Sequence, residues 1–74
     1  MTNTLVDARP TGTTIHDLTR RVQAEYAEMP GLNVTIAQAQ RLLDVDRQTC
    51  VLVFRTLMLQ GVLKRTAQGR YVRA

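Results

Sequence analysis

The sequence predicts a mainly α-helical fold in which three helices are followed by a small β-hairpin. Apolar residues recur at three- and four-residue spacing in three segments, which is the period of an amphipathic helix. A Thr or Asp that can cap a helix precedes each segment. After Gly61 the pattern changes to two short stretches rich in β-branched and basic residues, separated by a turn that contains glycine.

The length and the cysteine content predict a single small domain without a disulfide or a zinc site. The 74 residues fit one domain, near the size at which a single apolar core is only marginally stabilising. The one cysteine, Cys50, cannot form an internal disulfide, and no His or Cys lies at a spacing that would hold zinc. Extra stability is therefore expected from a partner chain, such as the second copy in a homodimer. No cofactor or small-molecule site is indicated.

Nothing in the sequence indicates a membrane segment. The first ten residues lack the apolar run of a signal peptide, and no uninterrupted apolar segment of about 18 residues occurs. A cytoplasmic protein is expected.

The basic charge is concentrated in the second half of the chain. Residues 1–40 carry three basic and four acidic side chains, whereas residues 41–74 carry seven basic and two acidic ones. A basic half beside a near-neutral half is typical of a surface that binds a polyanion. The same distribution also fits a solvated basic surface that binds no nucleic acid, so both interpretations stay open at this point.

The first helix is predicted to begin at Thr14, after a tail over residues 1–12, in a folded domain over residues 13–74. Thr14 can cap the free backbone N–H groups, and Asp17 three residues on completes a capping box. Pro30-Gly31 ends the helix, because the residue before proline is biased away from the α conformation. One buried stripe is expected, formed by Ile15, Leu18, Val22, Tyr26 and Met29.

The second helix is predicted from Thr35, with Gln38 in the capping-box position, to about Leu43. Residues 44–45 form the turn that follows. The short stretch 32–34 before the helix is extended and can pair with the later hairpin as a third strand.

The third helix is predicted over residues 46–60. Asp46 caps its start, and Gly61 ends it because glycine adopts the left-handed conformation most easily. Two capped helices with so short a connection must cross at a steep angle. The core face of this helix comprises Cys50, Val53, Phe54 and Leu57, with Met58 at its edge.

Residues 62–66 and 70–73 are predicted strands joined by a turn at 67–69. Helix, tight turn, helix and hairpin in this order indicate a winged helix-turn-helix, in which the hairpin 62–73 is the wing. In such a fold the third helix is offered to a DNA major groove, and the wing reaches an adjacent phosphate backbone or minor groove.

The exposed side of the third helix carries residues suited to DNA. Arg47 can pair with guanine O6 and N7, Gln48 with adenine N6 and N7, and Thr49 with a phosphate or a thymine methyl group. Arg55, two turns along, is placed to meet a phosphate. The wing adds Lys64, Arg65, Arg70 and Arg73. Because alternate residues of a strand face opposite sides, not all of these can touch the same backbone. The alternative is that Arg47 and Gln48 only solvate the helix while Thr49 supports its cap.

An exposed apolar strip on the third helix favours a different function. Leu52 and Leu59 are seven residues apart and share a face with Gln48 and Arg55, and Val51 lies beside them. This apolar strip can hold a homodimer contact or dock another protein.

The stretches TIAQAQRLLDVDRQT and LMLQGVLKRTAQGRYV resemble the winged helix-turn-helix of bacterial transcriptional regulators. The run EMPGLNVTIAQAQRLLDVDRQTC, with its PGL-x-(L/V)-T-x-x-QA-x-RL core, is similar to that of a group of small bacterial proteins. The resemblance covers about residues 26–74. It differs at Asp44, where glycine is common, and at Val51 and Leu52, where polar residues are usual. It implies DNA contacts at Arg47, Gln48, Thr49, Arg55, Arg65, Gln68 and Arg70.

We therefore expect a non-enzymatic protein that binds double-stranded DNA as a regulator or accessory factor. A protein-docking or dimerisation module that uses the apolar strip is the alternative. Catalysis is the weakest interpretation, because His16 beside Asp17 in a first helical turn is typical of a solvated pair and no nucleophile, paired carboxylates or phosphate loop accompanies it.

Overall fold

The computed structural model describes residues 14–74, so the predicted tail at 1–12 lies outside the described residues. The fold is mainly helical with a small antiparallel sheet, as the sequence predicts. Its elements in chain order are α1 (Ile15–Glu28), β1 (Asn33–Val34), α2 (Ile36–Leu43), α3 (Arg47–Leu59), β2 (Leu63–Arg65) and β3 (Tyr71–Arg73).

Both predicted capping boxes are present. The Thr14 hydroxyl accepts a hydrogen bond from the Asp17 backbone N–H at 3.1 Å, and the Thr14 N–H donates to the Asp17 carboxylate at 3.4 Å. At the start of α2 the same exchange joins Thr35 and Gln38 at 3.2 and 2.9 Å. Each box satisfies backbone donors that have no partner within the helix, so these two starts are specified locally.

The turn between α2 and α3 depends on one residue in the left-handed conformation. Asp44 has φ 56° and ψ 50°, which Asp tolerates better than most side chains. The Val45 N–H then donates to the Gln40 carbonyl at 3.2 Å, and Arg21 of α1 donates to the Leu42 carbonyl at 3.4 Å. The Gln40 and Leu42 carbonyls at the end of α2 thus accept hydrogen bonds from the turn and from α1.

The end of α3 is a Schellman motif. Gly61 has φ 77°, its N–H donates to the Met58 carbonyl at 3.0 Å, and the Val62 N–H donates to the Leu57 carbonyl at 2.9 Å. Gln60 is the cap, so the helix ends one residue before the predicted limit. The motif turns the chain directly into β2.

The sheet has the order β1-β3-β2, and both pairings are antiparallel. The predicted pairing of segment 32–34 with the hairpin is confirmed, because β1 pairs with β3. One row across the sheet faces the helices and comprises Val34, Tyr71 and Arg65. The next row faces away from them and comprises Asn33, Val72 and Lys64. Neighbouring basic residues of β2 therefore lie on opposite faces.

The core lies between α1, α3 and the inner face of the sheet. Its buried apolar residues are Leu18, Val22, Tyr26, Val34, Ala39, Leu43, Cys50, Val53, Phe54, Leu57, Leu63 and Tyr71. The expected burial of the whole α1 stripe is wrong at its two ends, since Ile15 is 36% and Met29 51% exposed. Ile15 is the first residue of α1 and Met29 follows its last, so both extend past the part of the helix that the other elements cover.

Tyr71 joins the central strand to two helices. Its ring meets that of Phe54 edge to face, with centroids 5.0 Å apart and an angle of 71° between the planes. Its backbone carbonyl accepts a hydrogen bond from the Tyr26 hydroxyl at 2.6 Å, inside the core. Burial raises the pKa of Tyr26 from 10.0 to about 12. The central strand is thereby held by α1 and α3 together.

Replacing Tyr26 by Phe should destabilise the fold by about 1 kcal/mol near neutral pH, because the buried carbonyl of Tyr71 loses its side-chain donor. A raised pKa in the folded state means that this contribution is complete below pH 10 and is lost as the pH rises through about 12. Urea denaturation from pH 8 to 12 measures both effects. Tyr71→Phe is the matched control, because within residues 14–74 no hydrogen bond of the Tyr71 hydroxyl is present. If Tyr26→Phe destabilises the fold as much at pH 12 as at pH 8, the hydrogen bond from Tyr26 to Tyr71 is not the source of the effect.

Candidate nucleic-acid interface

Helix α3 has one buried and one exposed side. The predicted core face is confirmed, because Cys50, Val53, Phe54 and Leu57 are all buried and Met58 is half-buried at the edge. The exposed side carries Arg47, Gln48, Val51, Leu52, Arg55 and Leu59. The helix therefore directs to solvent nearly all of the side chains for which a binding role is predicted.

Thr49 belongs to the cap of α3. Its backbone N–H donates to the Asp46 carboxylate at 2.9 Å, and the side chain is half-buried. Hydrogen bonds from the Thr49 hydroxyl and backbone N–H hold the pKa of Asp46 below its usual range. Arg47 and Gln48 remain as the exposed side chains of the first turn.

A cleft of about 420 Å³ separates the first turns of α2 and α3 from the hairpin. We call it the Arg47–Arg65 cleft, after the two cationic side chains in its walls. It is lined by Thr35, Ile36, Ala37, Arg47, Val51, Arg65, Gly69 and Tyr71. None of these lining residues is acidic, so the two guanidinium groups share an anion-favouring concavity.

The hairpin turn places Arg65 in this cleft. Gly69 has φ 79°, and the Arg65 guanidinium lies 3.8 Å from the position that a Cβ on Gly69 would occupy. The loop is closed by a Thr66 N–H to Arg70 carbonyl hydrogen bond of 2.7 Å and by an Arg70 N–H to Thr66 hydroxyl hydrogen bond of 3.1 Å. Arg65 therefore lies along a turn with a defined shape.

The other basic residues of the hairpin point elsewhere. Lys64 lies on the outer face of the sheet, and Arg70 donates to the Asn33 side chain at 3.1 Å, on that same face. Arg73 lines a separate cavity of about 210 Å³ beside Gln23 of α1. The structure thus places Arg65 in the same cleft as Arg47. Strand alternation separates Lys64 from them, as expected from the sequence, and Arg70 turns to Asn33. Arg73 shares the face of Tyr71 but lies at the other end of the paired strands.

Gln68 and Arg55 lie outside the Arg47–Arg65 cleft. Gln68 is exposed in the hairpin loop, and Arg55 is exposed two turns after Arg47 on α3. Both can extend a contact surface that begins at the cleft, although neither lines it.

The exposed apolar residues of α3 belong to two different surfaces. Val51, 36% exposed, lines the Arg47–Arg65 cleft, whereas Leu52 and Leu59 lie outside it and are 46% and 81% exposed. The apolar strip of Leu52 and Leu59 is therefore a surface distinct from the cleft wall that Val51 helps to form.

Sequence reasoning missed the contribution of α2 to the cleft. Thr35, Ile36 and Ala37 form one of its walls. The capping box identifies this segment as a helix start, whose first backbone N–H groups have no partner within the helix. The capping box contains no information on which other element the helix start faces. The facing element depends on how α2 and α3 cross.

Cys50 and His16, the residues that could act in catalysis, have surroundings in the described part of the chain that do not form a reactive site. Cys50 is buried, its thiol lies 3.8 Å from the Ile36 carbonyl, and burial raises its pKa, which disfavours the reactive thiolate. His16 is exposed, and the neighbouring Asp17 is held in the α1 capping box. Within residues 14–74, no group of three or more potential metal ligands occurs. No helix in the same part of the chain is sufficiently long and apolar to cross a membrane.

Comparisons of the chain with protein-family models, with curated protein sequences and with solved structures give no significant match.

Removal of the α3 cap should lower the thermal midpoint. Asp46→Ala loses the hydrogen bond to Thr49 and is expected to be clearly less stable at pH 7, whereas Asp46→Asn, which keeps a capping side chain, should lose much less. Because the pKa of Asp46 is lowered in the fold, its contribution is present above its ordinary value of 3.8 and is lost as the pH falls below it. Circular-dichroism melts between pH 7 and pH 2 test this. Equal thermal midpoints for both variants and the unmodified chain at pH 7 would show that the Asp46 cap does not stabilise the fold.

Proposed function

We propose that this chain is a DNA-binding protein with a winged helix-turn-helix arrangement, acting as a transcriptional regulator or an accessory factor. One observation carries the proposal: Arg47 at the start of α3 and Arg65 in the hairpin line the same cleft, although they are distant in the chain. A concave surface with two guanidinium groups and no acidic lining residue suits a polyanion.

The first turn of α3 supplies the base-reading groups in this proposal. A helix fits the major groove, about 12 Å wide, and its N-terminal residues approach the base edges. Arg47 and Gln48 are exposed there, and each has the hydrogen-bonding groups for a bidentate contact, Arg with guanine and Gln with adenine. Thr49 supports the cap instead, so two side chains rather than three carry sequence readout.

Backbone phosphates are held by the hairpin and by α2. Arg65 extends along the hairpin turn on the cleft side, and the first turn of α2 forms the opposite wall. Free N–H groups and the positive end of the helix dipole make such a helix start favourable for a phosphate. Lys64 and Arg70 on the outer sheet face add positive potential without contacting the same phosphates.

Arg47→Ala and Arg65→Ala should each weaken binding to a short mixed-sequence duplex by about tenfold, and Arg65→Ala, which removes a phosphate contact, should also reduce the slope of log affinity against log salt by about one. Fluorescence anisotropy at two or more salt concentrations measures both quantities. Arg20→Ala is the matched control, because it removes the same side chain from an exposed position of α1. Binding that is as strong in the Arg47→Ala/Arg65→Ala double variant as in Arg20→Ala would exclude the cleft as the DNA site.

A second candidate function, protein docking or self-association, is favoured by the exposure of the apolar strip. Leu59 is 81% exposed at the end of α3. A side chain this large gains about 1.5–3 kcal/mol on full burial, which a partner surface would supply. This function uses the other end of the helix and does not require the cleft.

Leu59→Asp should convert any dimer to monomer without changing the helical circular-dichroism signal, because the side chain contributes nothing to the core. Sedimentation at several concentrations measures the association state. Gln60→Asp, at the neighbouring exposed position, introduces the same charge and should leave association unchanged. A chain that is monomeric at all concentrations, or a dimer that withstands Leu59→Asp, would remove the strip from self-association.

A further inference from the structure

Val51 is an apolar side chain placed in a cationic cleft. It lies outside the buried core, is 36% exposed, and lines the same cleft as Arg47 and Arg65. It is not among the residues packed into the core, so a ligand that enters the cleft can contact it.

Helix geometry places Val51 between the two side chains that are proposed to read bases. At about 100° per residue, Val51 lies about 40° around the helix from Arg47 and about 60° from Gln48, in the sector between them. It is one turn further along the axis than Arg47, a rise of about 6 Å. Any surface that Arg47 and Gln48 contact together therefore also faces Val51.

The base edges of the major groove offer few apolar groups. Hydrogen-bond donors and acceptors cover most of each base pair, and the C5-methyl group of thymine is the exception. A 5-methylcytosine presents the same methyl group at the same ring position. Contact between a valine side chain and such a methyl removes apolar surface from water on both sides.

We propose that Val51 contacts the C5-methyl group of a pyrimidine in the major groove, so that the protein discriminates methylated from unmethylated C5 positions. This inference rests on the proposed DNA-binding function and deepens it by naming the group that α3 recognises. The two sources of the group are thymine and 5-methylcytosine. Leu52 and Leu59 do not share this position, because neither lines the cleft.

The test uses one mixed-sequence duplex of about 20 base pairs, two helical turns, in three versions. The first contains thymine, the second contains uracil at every thymine position, and the third is the uracil version with every cytosine methylated at C5. Affinity is measured by fluorescence anisotropy for the full chain, for Val51→Ala and for Leu42→Ala. Leu42→Ala is the matched control, since it shortens an exposed apolar helix residue that lies outside both the cleft and the apolar strip.

We expect the full chain to bind the thymine duplex about fourfold more tightly than the uracil duplex, the factor that burial of one methyl group provides. Val51→Ala should bring this ratio close to one, whereas Leu42→Ala should keep it. If methylation of cytosine in the third duplex restores the affinity, the target is any C5-methylpyrimidine. If it does not, the target is thymine alone. Both results support the inference.

Three results would overturn it. A ratio near one for the full chain, with strong binding to all three duplexes, removes methyl recognition and leaves the proposed function intact. A ratio that Val51→Ala preserves assigns the discrimination to another residue. Absence of binding to every duplex, in a chain that melts cooperatively, overturns the DNA-binding proposal itself and this inference with it.

Discussion

The rotation of α3 about its own axis is the constraint on which the rest of the molecule depends. Four residues of one face are buried against α1, α2 and the sheet, with Phe54 and Leu57 among the most buried side chains of the described chain. A rotation by one residue position, about 100°, would expose part of this face and bury Gln48 or Arg55. Both changes are costly, because apolar side chains would be exposed to water and a charged or polar side chain would lose its hydration.

The same core sets the position of the hairpin relative to α3. Tyr71 packs on Phe54 and accepts the hydrogen bond of Tyr26, so the central strand cannot slide without loss of both contacts. Arg65 is the register partner of Tyr71 in β2. The position of Arg65 relative to Arg47 therefore depends on an aromatic contact in the interior.

Helix α3 has sufficient length for two separate surfaces. Its 13 residues span about 20 Å, with the Arg47–Arg65 cleft at the start and Leu59 at the end. A duplex that occupies the first turns leaves the last turn exposed. The proposed DNA binding at one end and the proposed association at the other use different parts of the helix, and a dimer built on Leu59 would add burial to a core that is small for an independent domain.

The sequence by itself determined the helix limits, the turns and the two sides of α3. Thr14, Thr35 and Asp46 act on backbone groups only three residues away, and Gly61 acts through its own φ, so neighbouring residues suffice to specify them. Tertiary structure alone decided that Arg65 and Arg47 line one cleft, that Arg70 turns instead to Asn33, and that the start of α2 forms a wall of the cleft. It also left Ile15 and Met29 exposed. These outcomes depend on strand register and on how helices cross, which join residues far apart in the chain and are set by the packing of the whole core.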